Sequence, residues 1–276
     1  MTVLDRNFTG PLSDNIEDYP QGLVIVADKP YRWTSADVIR KLKFAAIRHF
    51  GKKNLKVGHA GTLDPLASGT LIVCVGNACR RAESIQAGHK EYIADICFGA
   101  VTASYDLEKP VEMCGGRSVT RTDIEAALPL MTGPQRQIAP LFSAKMVDGV
   151  RAYELARRMY RDGLALDEAA EGLLHLSDIN ISELELLDFK FTGKVQQDSP
   201  ANGASSRICV NPLPSGLSAA TVRISCSKGT YIRSFARDLG ERLGTGAFLS
   251  SLRRTECSPY RIEDALDING ILALLS

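Results

Sequence analysis

Gly58-His59-Ala60-Gly61-Thr62-Leu63-Asp64-Pro65-Leu66-Ala67-Ser68-Gly69 runs without a break into Thr70-Leu71-Ile72-Val73-Cys74-Val75. The first stretch is punctuated by three glycines and a proline, which is loop chemistry. The second is β-branched and apolar, which predicts a buried strand. A carboxylate between such a loop and such a strand has little backbone freedom, because proline restricts its own φ and the residue before it. Asp64 then reads in two ways. It is either an Asp-Pro turn of the kind found in any loop, or an acid held out at a reaction centre.

Upstream, Gly22–Asp28 is a short β-branched run stopped by Asp28-Lys29-Pro30. Thr34 and Asp37 then stand at capping-box spacing. Val38, Ile39, Leu42, Ala45, Ala46 and Phe50 follow at helical period, and Gly51 closes the helix. Between Val38 and Leu63 lie Arg40, Lys41, Lys43, Arg48, Lys52, Lys53 and Lys56, with no carboxylate among them. Most such runs are solvated faces. In a chain that is neutral overall, a stretch this one-sided is also a candidate phosphate track.

Downstream, strands are expected at Tyr92–Phe98, Glu183–Phe191 and Thr221–Cys226, and helices at Thr122–Leu130, Ala152–Arg161 and Ser234–Leu243. The alternation has no steady βαβ period, so the expected class is α+β around a mixed, largely antiparallel sheet. Residues 1–19 read as a polar tail, with order beginning at Gly22. Gly193–Ala220 is rich in Ser, Gly, Pro, Asn and Ala and reads as a long solvated loop insertion between two strands of one sheet.

Over 276 residues the chain is 45% hydrophobic and 24% charged, within the globular range. The balance of 33 basic and 32 acidic residues, net +1, excludes a wholly basic nucleic-acid binder but not a local patch. Apolar runs fall well short of the ~20 residues that span a bilayer. The first twenty residues lack the apolar segment of a signal peptide, so a soluble cytoplasmic protein is expected. Seven scattered cysteines without a C-x-x-C pair, and four histidines without ligand spacing, suggest neither a disulfide framework nor a metal site.

A second stretch carries chemistry: Cys226-Ser227-Lys228-Gly229-Thr230-Tyr231-Ile232-Arg233-Ser234. A strand ends here, Gly229 turns the chain, and a helix follows that Ser234 is placed to cap. Arg233 is suited to bidentate pairing with a buried carboxylate. By itself it reads first as a surface arginine near a helix start.

Taken together, the two stretches closely resemble the signature loop and second catalytic motif of the TruB family of tRNA pseudouridine synthases. Further likeness lies in Gly22–Pro30, Lys90-Glu91-Tyr92, Phe142-Ser143-Ala144-Lys145, Asp148-Gly149, Arg151–Ala156 and Ser251-Leu252-Arg253-Arg254. The resemblance implies a pseudouridine synthase fold, with helices and loops flanking the sheet around a central RNA-binding cleft. It implies isomerisation of the uridine at position 55, in the tRNA T-arm, by base flipping and without cofactor or metal. Asp64 matches the family's catalytic aspartate, Arg233 its charge partner, and Tyr92 the tyrosine that lies against the target uracil. His59 matches the histidine that fills the space left by the extruded nucleotide. Tyr231 and Leu252 match base-pocket positions, and Lys29 a lysine near the entrance.

Relatives often carry a C-terminal PUA domain. Only ten residues follow Leu266 here, so a single catalytic domain over 20–276 without a PUA domain is expected; with no heptad or extended apolar face asking for a partner, a monomer is expected. Two other readings stay open: a tRNA-folding chaperone, and a synthase acting on a different RNA.

Overall fold

In place of a polar tail, the chain begins with a strand. The computed structural model describes residues 1–115, 117–164, 166–193 and 208–276. Strand β1 (Thr2–Leu4) lies parallel to β2 (Leu23–Lys29), and Leu4 is fully buried. Arg6 then ties the segment down through its backbone N–H to Asp264 O (2.8 Å) and its Nε to Ala265 O (2.8 Å). Ile16, in a short 3-10 turn, is buried, and Tyr19 meets Phe50 edge-on. The triplet Thr2-Val3-Leu4 is too short to show a period, which is why sequence pattern misses it. What holds it is the open edge of β2.

Beyond β2 come helix α1 (Ser35–Phe50), strands β3 (Val57–His59) and β4 (Ala67–Val75), helix α2 (Ala82–Gln86) and strand β5 (Lys90–Phe98). Short hairpins follow, β6 (Ala100–Val101) with β7 (Glu112–Met113), and later β9 (Met146–Val147) with β10 (Val150–Arg151). Around them lie α3 (Arg121–Ala127), β8 (Gly133–Gln137), α4 (Ala152–Arg161) and α5 (Leu166–Leu173). The last elements are β11 (Ser177–Phe191), β12 (Ser218–Cys226), α6 (Ile232–Arg242), β13 (Ala247–Cys257), β14 (Tyr260–Arg261) and α7 (Ile268–Leu274). Ladders β2–β4, β3–β4, β13–β14, β11–β12 and β11–β8 are antiparallel. With β1 on β2 parallel, the sheet is mixed and largely antiparallel, as expected.

The chain packs as two compact units. The first holds Met1–Tyr92, Ile208 and Arg253–Ser276; the second holds residues 93–193 and Cys209–Leu252. In the first, strand order is β1-β2-β4-β13. Register pairs Val24 with Cys74 and Val26 with Ile72, and these four share a core cluster with Ala60, Ala78, Cys257 and Ala265. Leu23, Ile25 and Ala27 point to the other face, and they too are fully buried. A strand covered on both faces reads as a continuous apolar run, and β2 and β4 do.

In the second unit the order is β13-β5-β12-β11-β8. Beside it, α4, α5 and the segment around Leu141 and Phe142 close a smaller core on Ala152 and Ala156. Among the described residues no helix is long and apolar enough to cross a membrane.

The insertion also departs from expectation. Residues 194–207 lie outside the described residues, but the remainder is not a solvated loop. Ile208 is buried, Asn211 N–H donates to Leu107 O (2.8 Å), and Thr192 Oγ1 donates to Pro214 O (2.7 Å). Polar composition conceals these anchors because they are mostly backbone groups.

Candidate active site

Asp64 sits on a loop pinned at its neighbours on both sides. Ser35, the first residue of α1, is buried. Its Oγ donates to Leu63 O (3.1 Å) and accepts from Leu63 N–H (3.0 Å). Helix α1 starts there because Thr34 Oγ1 accepts from Asp37 N–H (3.0 Å) while Asp37 Oδ2 accepts from Thr34 N–H (3.0 Å). On the other side, Pro65 O accepts from Arg32 N–H (2.9 Å), with Arg32 in the left-handed region at φ 62°. Ala67 N–H closes a turn onto Asp64 O (3.1 Å). The half-buried carboxylate therefore projects from a backbone with little freedom.

Arg254 is the inner brace of the loop. It is 2% exposed, and its guanidinium donates to Thr70 O (2.8 Å), Gly61 O (3.1 Å) and Thr62 O (3.5 Å). Gly69 has φ 105°, and a Cβ there would run into the carbonyl oxygen of Arg254, so the close approach of β4 to β13 requires glycine. Beside it, Arg253 holds Asp28 in a bidentate pair (2.8 and 3.2 Å).

Lys29 corrects the sequence reading. Expected near the entrance, it is 0% exposed, with Nζ donating to Trp33 O (2.6 Å), Pro30 O (2.9 Å) and Pro65 O (3.5 Å). Burial pulls its ammonium down to about 7, against the raising effect of the Asp64 charge. Lys29 thus lies beneath the loop and braces it. His59 ends β3 opposite Val73; burial and the positive charge of Arg254 lower its pKa, and its Nδ1 is buried without a hydrogen-bond partner. A ring so held stays neutral at physiological pH and suits an apolar wedge better than a proton carrier.

In the second unit, Arg233 is on α6, 4% exposed, and far from the surface residue that its position near a helix start suggests. Its NH2 donates to Phe142 O (2.9 Å), its NH1 to Ser104 O (3.2 Å), and its Nε lies 3.8 Å from Asp106 Oδ2. Asp106 is itself set by Ser104 Oγ (2.6 Å) and Glu108 N–H (3.0 Å). The helix begins at Ile232 with Tyr231 at the cap position, so Ser234 is not the cap; its hydroxyl donates to Ile138 O (2.8 Å). Tyr231 N–H donates to Gln137 Oε1 (2.8 Å). Tyr92 and Leu252 are both 8% exposed, on β5 and β13 respectively.

The basic run does not form one free track. Arg40 pairs with Asp37 (2.9 Å) and Lys52 with Glu17 (2.6 Å). Lys56 lies in a separate recess with Arg80 and Asn77. Sequence reasoning missed Ser35, Asp106 and the bracing role of Arg254. Only Arg254 had a signal, its place in the Ser251–Arg254 stretch. Among the described residues, no group of three or more His, Cys, Asp or Glu is placed to hold a metal ion.

Comparison with known proteins places the chain in a family. The model of the TruB family pseudouridylate synthase N-terminal domain matches residues 48–232, and the chain belongs to that family. Among curated relatives, "tRNA pseudouridine synthase B" of Phocaeicola vulgatus is 40% identical over 254 residues, covering 92% of this chain and 93% of that protein. The protein of the same name from Bacteroides thetaiotaomicron is 40% identical over 251 residues, covering 91% of each. Among solved structures, a Cbf5-Nop10-Gar1 complex matches with TM-score 0.60 at 23% identity, covering 98% of this chain and 60% of the other. That likeness establishes the shared fold.

Proposed function

We propose that this chain is a tRNA pseudouridine synthase that converts uridine to pseudouridine at position 55 in the T-arm. Family membership and near full-length similarity to proteins of that name support the activity. The observation that carries the site assignment is the pinning of the Asp64 loop by Ser35, Arg32 and Arg254. In the reaction the N1–C1′ glycosidic bond of uridine breaks, the uracil turns, and a C5–C1′ bond forms. C5 then gives up its proton and N1 ends protonated, so atoms balance without a redox partner.

Asp64 is assigned the role of nucleophile or base, which requires it ionised. Arg233 is assigned to hold that charge, and Tyr92 to face the uracil and accept the C5 proton. His59 is assigned to the gap left by the flipped nucleotide, with Tyr231 and Leu252 lining the base pocket. The whole of residues 1–276, with β1 included in the first unit, is proposed to act in catalysis, in a monomeric cytoplasmic enzyme.

Tritium release from tRNA transcript labelled at uridine C5 tests the proposal. Release by the wild-type protein is expected, with none by Asp64→Asn and none from a transcript carrying cytidine at position 55. Asp64→Asn should keep its tRNA affinity within about three-fold. Wild-type protein that binds tRNA and releases no tritium would instead favour a folding chaperone.

A further inference from the structure

The exposed face of α1 carries a groove that the reaction does not use. Asp37, Arg40, Lys41, Phe44 and Arg48 recur at spacings of three and four, so they form one stripe of the helix. With Trp33 at one end and Leu272 of α7 alongside, they line a groove of about 650 Å³. Phe44 is 72% exposed and is the one large apolar side chain that α1 presents to water. The Lys41 ammonium stands 5.7 Å from the centroid of the Trp33 ring. Asp37 is the one acid among the lining residues; Arg40 pairs with it and Thr34 engages it in the helix cap, leaving the stripe cationic.

We propose that this groove is an RNA subsite separate from the reacting loop. It takes one unpaired nucleobase on the Phe44 ring and the flanking phosphates on Arg40, Lys41 and Arg48. The proposal rests on the reading that the chain binds tRNA. Cations beside an exposed aromatic face are complementary to single-stranded nucleic acid, whose phosphates and base face arrive together. A regular duplex offers phosphates without a free base face. An amphipathic partner helix needs anchors at several successive turns, and this stripe has one. The basic run is thereby divided: Lys41, Arg48 and Arg40, which stays 75% exposed in its pair with Asp37, serve the groove, whereas Lys52 and Lys56 line a separate recess.

The test measures the affinity of unmodified tRNA transcript between about 50 and 300 mM KCl, a range over which phosphate contacts weaken steeply. It compares wild type, Phe44→Ala, Phe44→Tyr and the triple variant Arg40→Gln, Lys41→Gln, Arg48→Gln. Phe44→Ala should weaken binding by roughly 5- to 100-fold, the value of one base stack, with the salt slope kept. Phe44→Tyr, which retains the ring, should bind within about two-fold of wild type. The triple variant should lower the slope of log affinity against log salt by about 2. Unchanged affinity and slope in all variants would overturn the proposal. Unchanged tRNA binding with weaker binding of a polyglutamate peptide by the triple variant would also overturn it, and would reassign the groove to an acidic protein. Tritium release by the wild type is read in parallel. Release with unaffected variants sinks only the subsite, whereas absent release and absent tRNA binding sink the enzyme reading.

Discussion

A lysine ammonium with no solvent contact, as at Lys29, holds its proton less tightly than the same group in the unfolded chain. The unfolded chain stays protonated up to about 10.5, while the folded one releases the proton from about 7. Between those values the unfolded state binds more protons, so the stability linked to Lys29 rises with pH, by at most ~1.4 kcal/mol per pH unit. Urea denaturation of wild type and Lys29→Met at pH 6.5, 8 and 9.5 (about the span of that window) should show the difference moving in favour of wild type as pH increases. A constant difference would mean that Lys29 keeps its proton in the fold. Asp106→Ala removes the carboxylate beside the buried Arg233 guanidinium and should cost about 3 kcal/mol in the same assay, whereas a change below about 1 would discount the pair. Asp64 stood out in the sequence because Asp-Pro within a glycine-rich loop constrains backbone. Lys29 and Arg254 did not, and Arg233 left a buried and a surface reading open, because residue type predicts exposure for all three and their burial depends on carbonyls from other segments.

Helix α1 shows how much an element announces when its signals are local. The Thr34–Asp37 box, the apolar period and Gly51 in the left-handed region all fall where the sequence puts them. Thr34→Ala should lower stability by about 1 kcal/mol. Helix α4 likewise spans Ala152–Arg161 as expected. Strand β13 was illegible because its second half, Arg253-Arg254-Thr255-Glu256, looks like a solvated turn. Its charges are absorbed by partners that only the folded sheet supplies: Asp28 for Arg253, loop carbonyls for Arg254, and Arg261 for Glu256 (3.4 Å). The contact between β4 and β13 tolerates no side chain at Gly69. Gly69→Ala is therefore expected to lose about 3 kcal/mol through forced φ and steric conflict. A denaturation midpoint equal to wild type would contradict the packing.

At the scale of the molecule, thiol chemistry separates interior from surface. All seven cysteines are free; Cys74, Cys97, Cys226 and Cys257 are buried, and Cys79 is half-buried. Burial pushes Cys74 up to about 12 and Cys97 up to about 11, and it raises Cys79 as well. A native-state titration with an aromatic disulfide reagent should find two fast thiols, Cys114 and Cys209, and all seven after denaturation. More than two fast thiols would show that the core opens. The class of the sheet was readable because β2, β4, β11 and β12 carry their own patterns. The membership of each unit was not, since it depends on which late segment joins which early one. The first unit draws on Met1–Tyr92 and again on Arg253–Ser276. On a ribosome, residues 1–92 therefore emerge lacking the strand that borders β4 and the arginine that braces the Asp64 loop. At ~5–20 residues per second, that loop waits roughly 8 to 30 seconds for residues 93–254 to be made. The Asp64 loop of the nascent protein is then left without its brace until translation is nearly over.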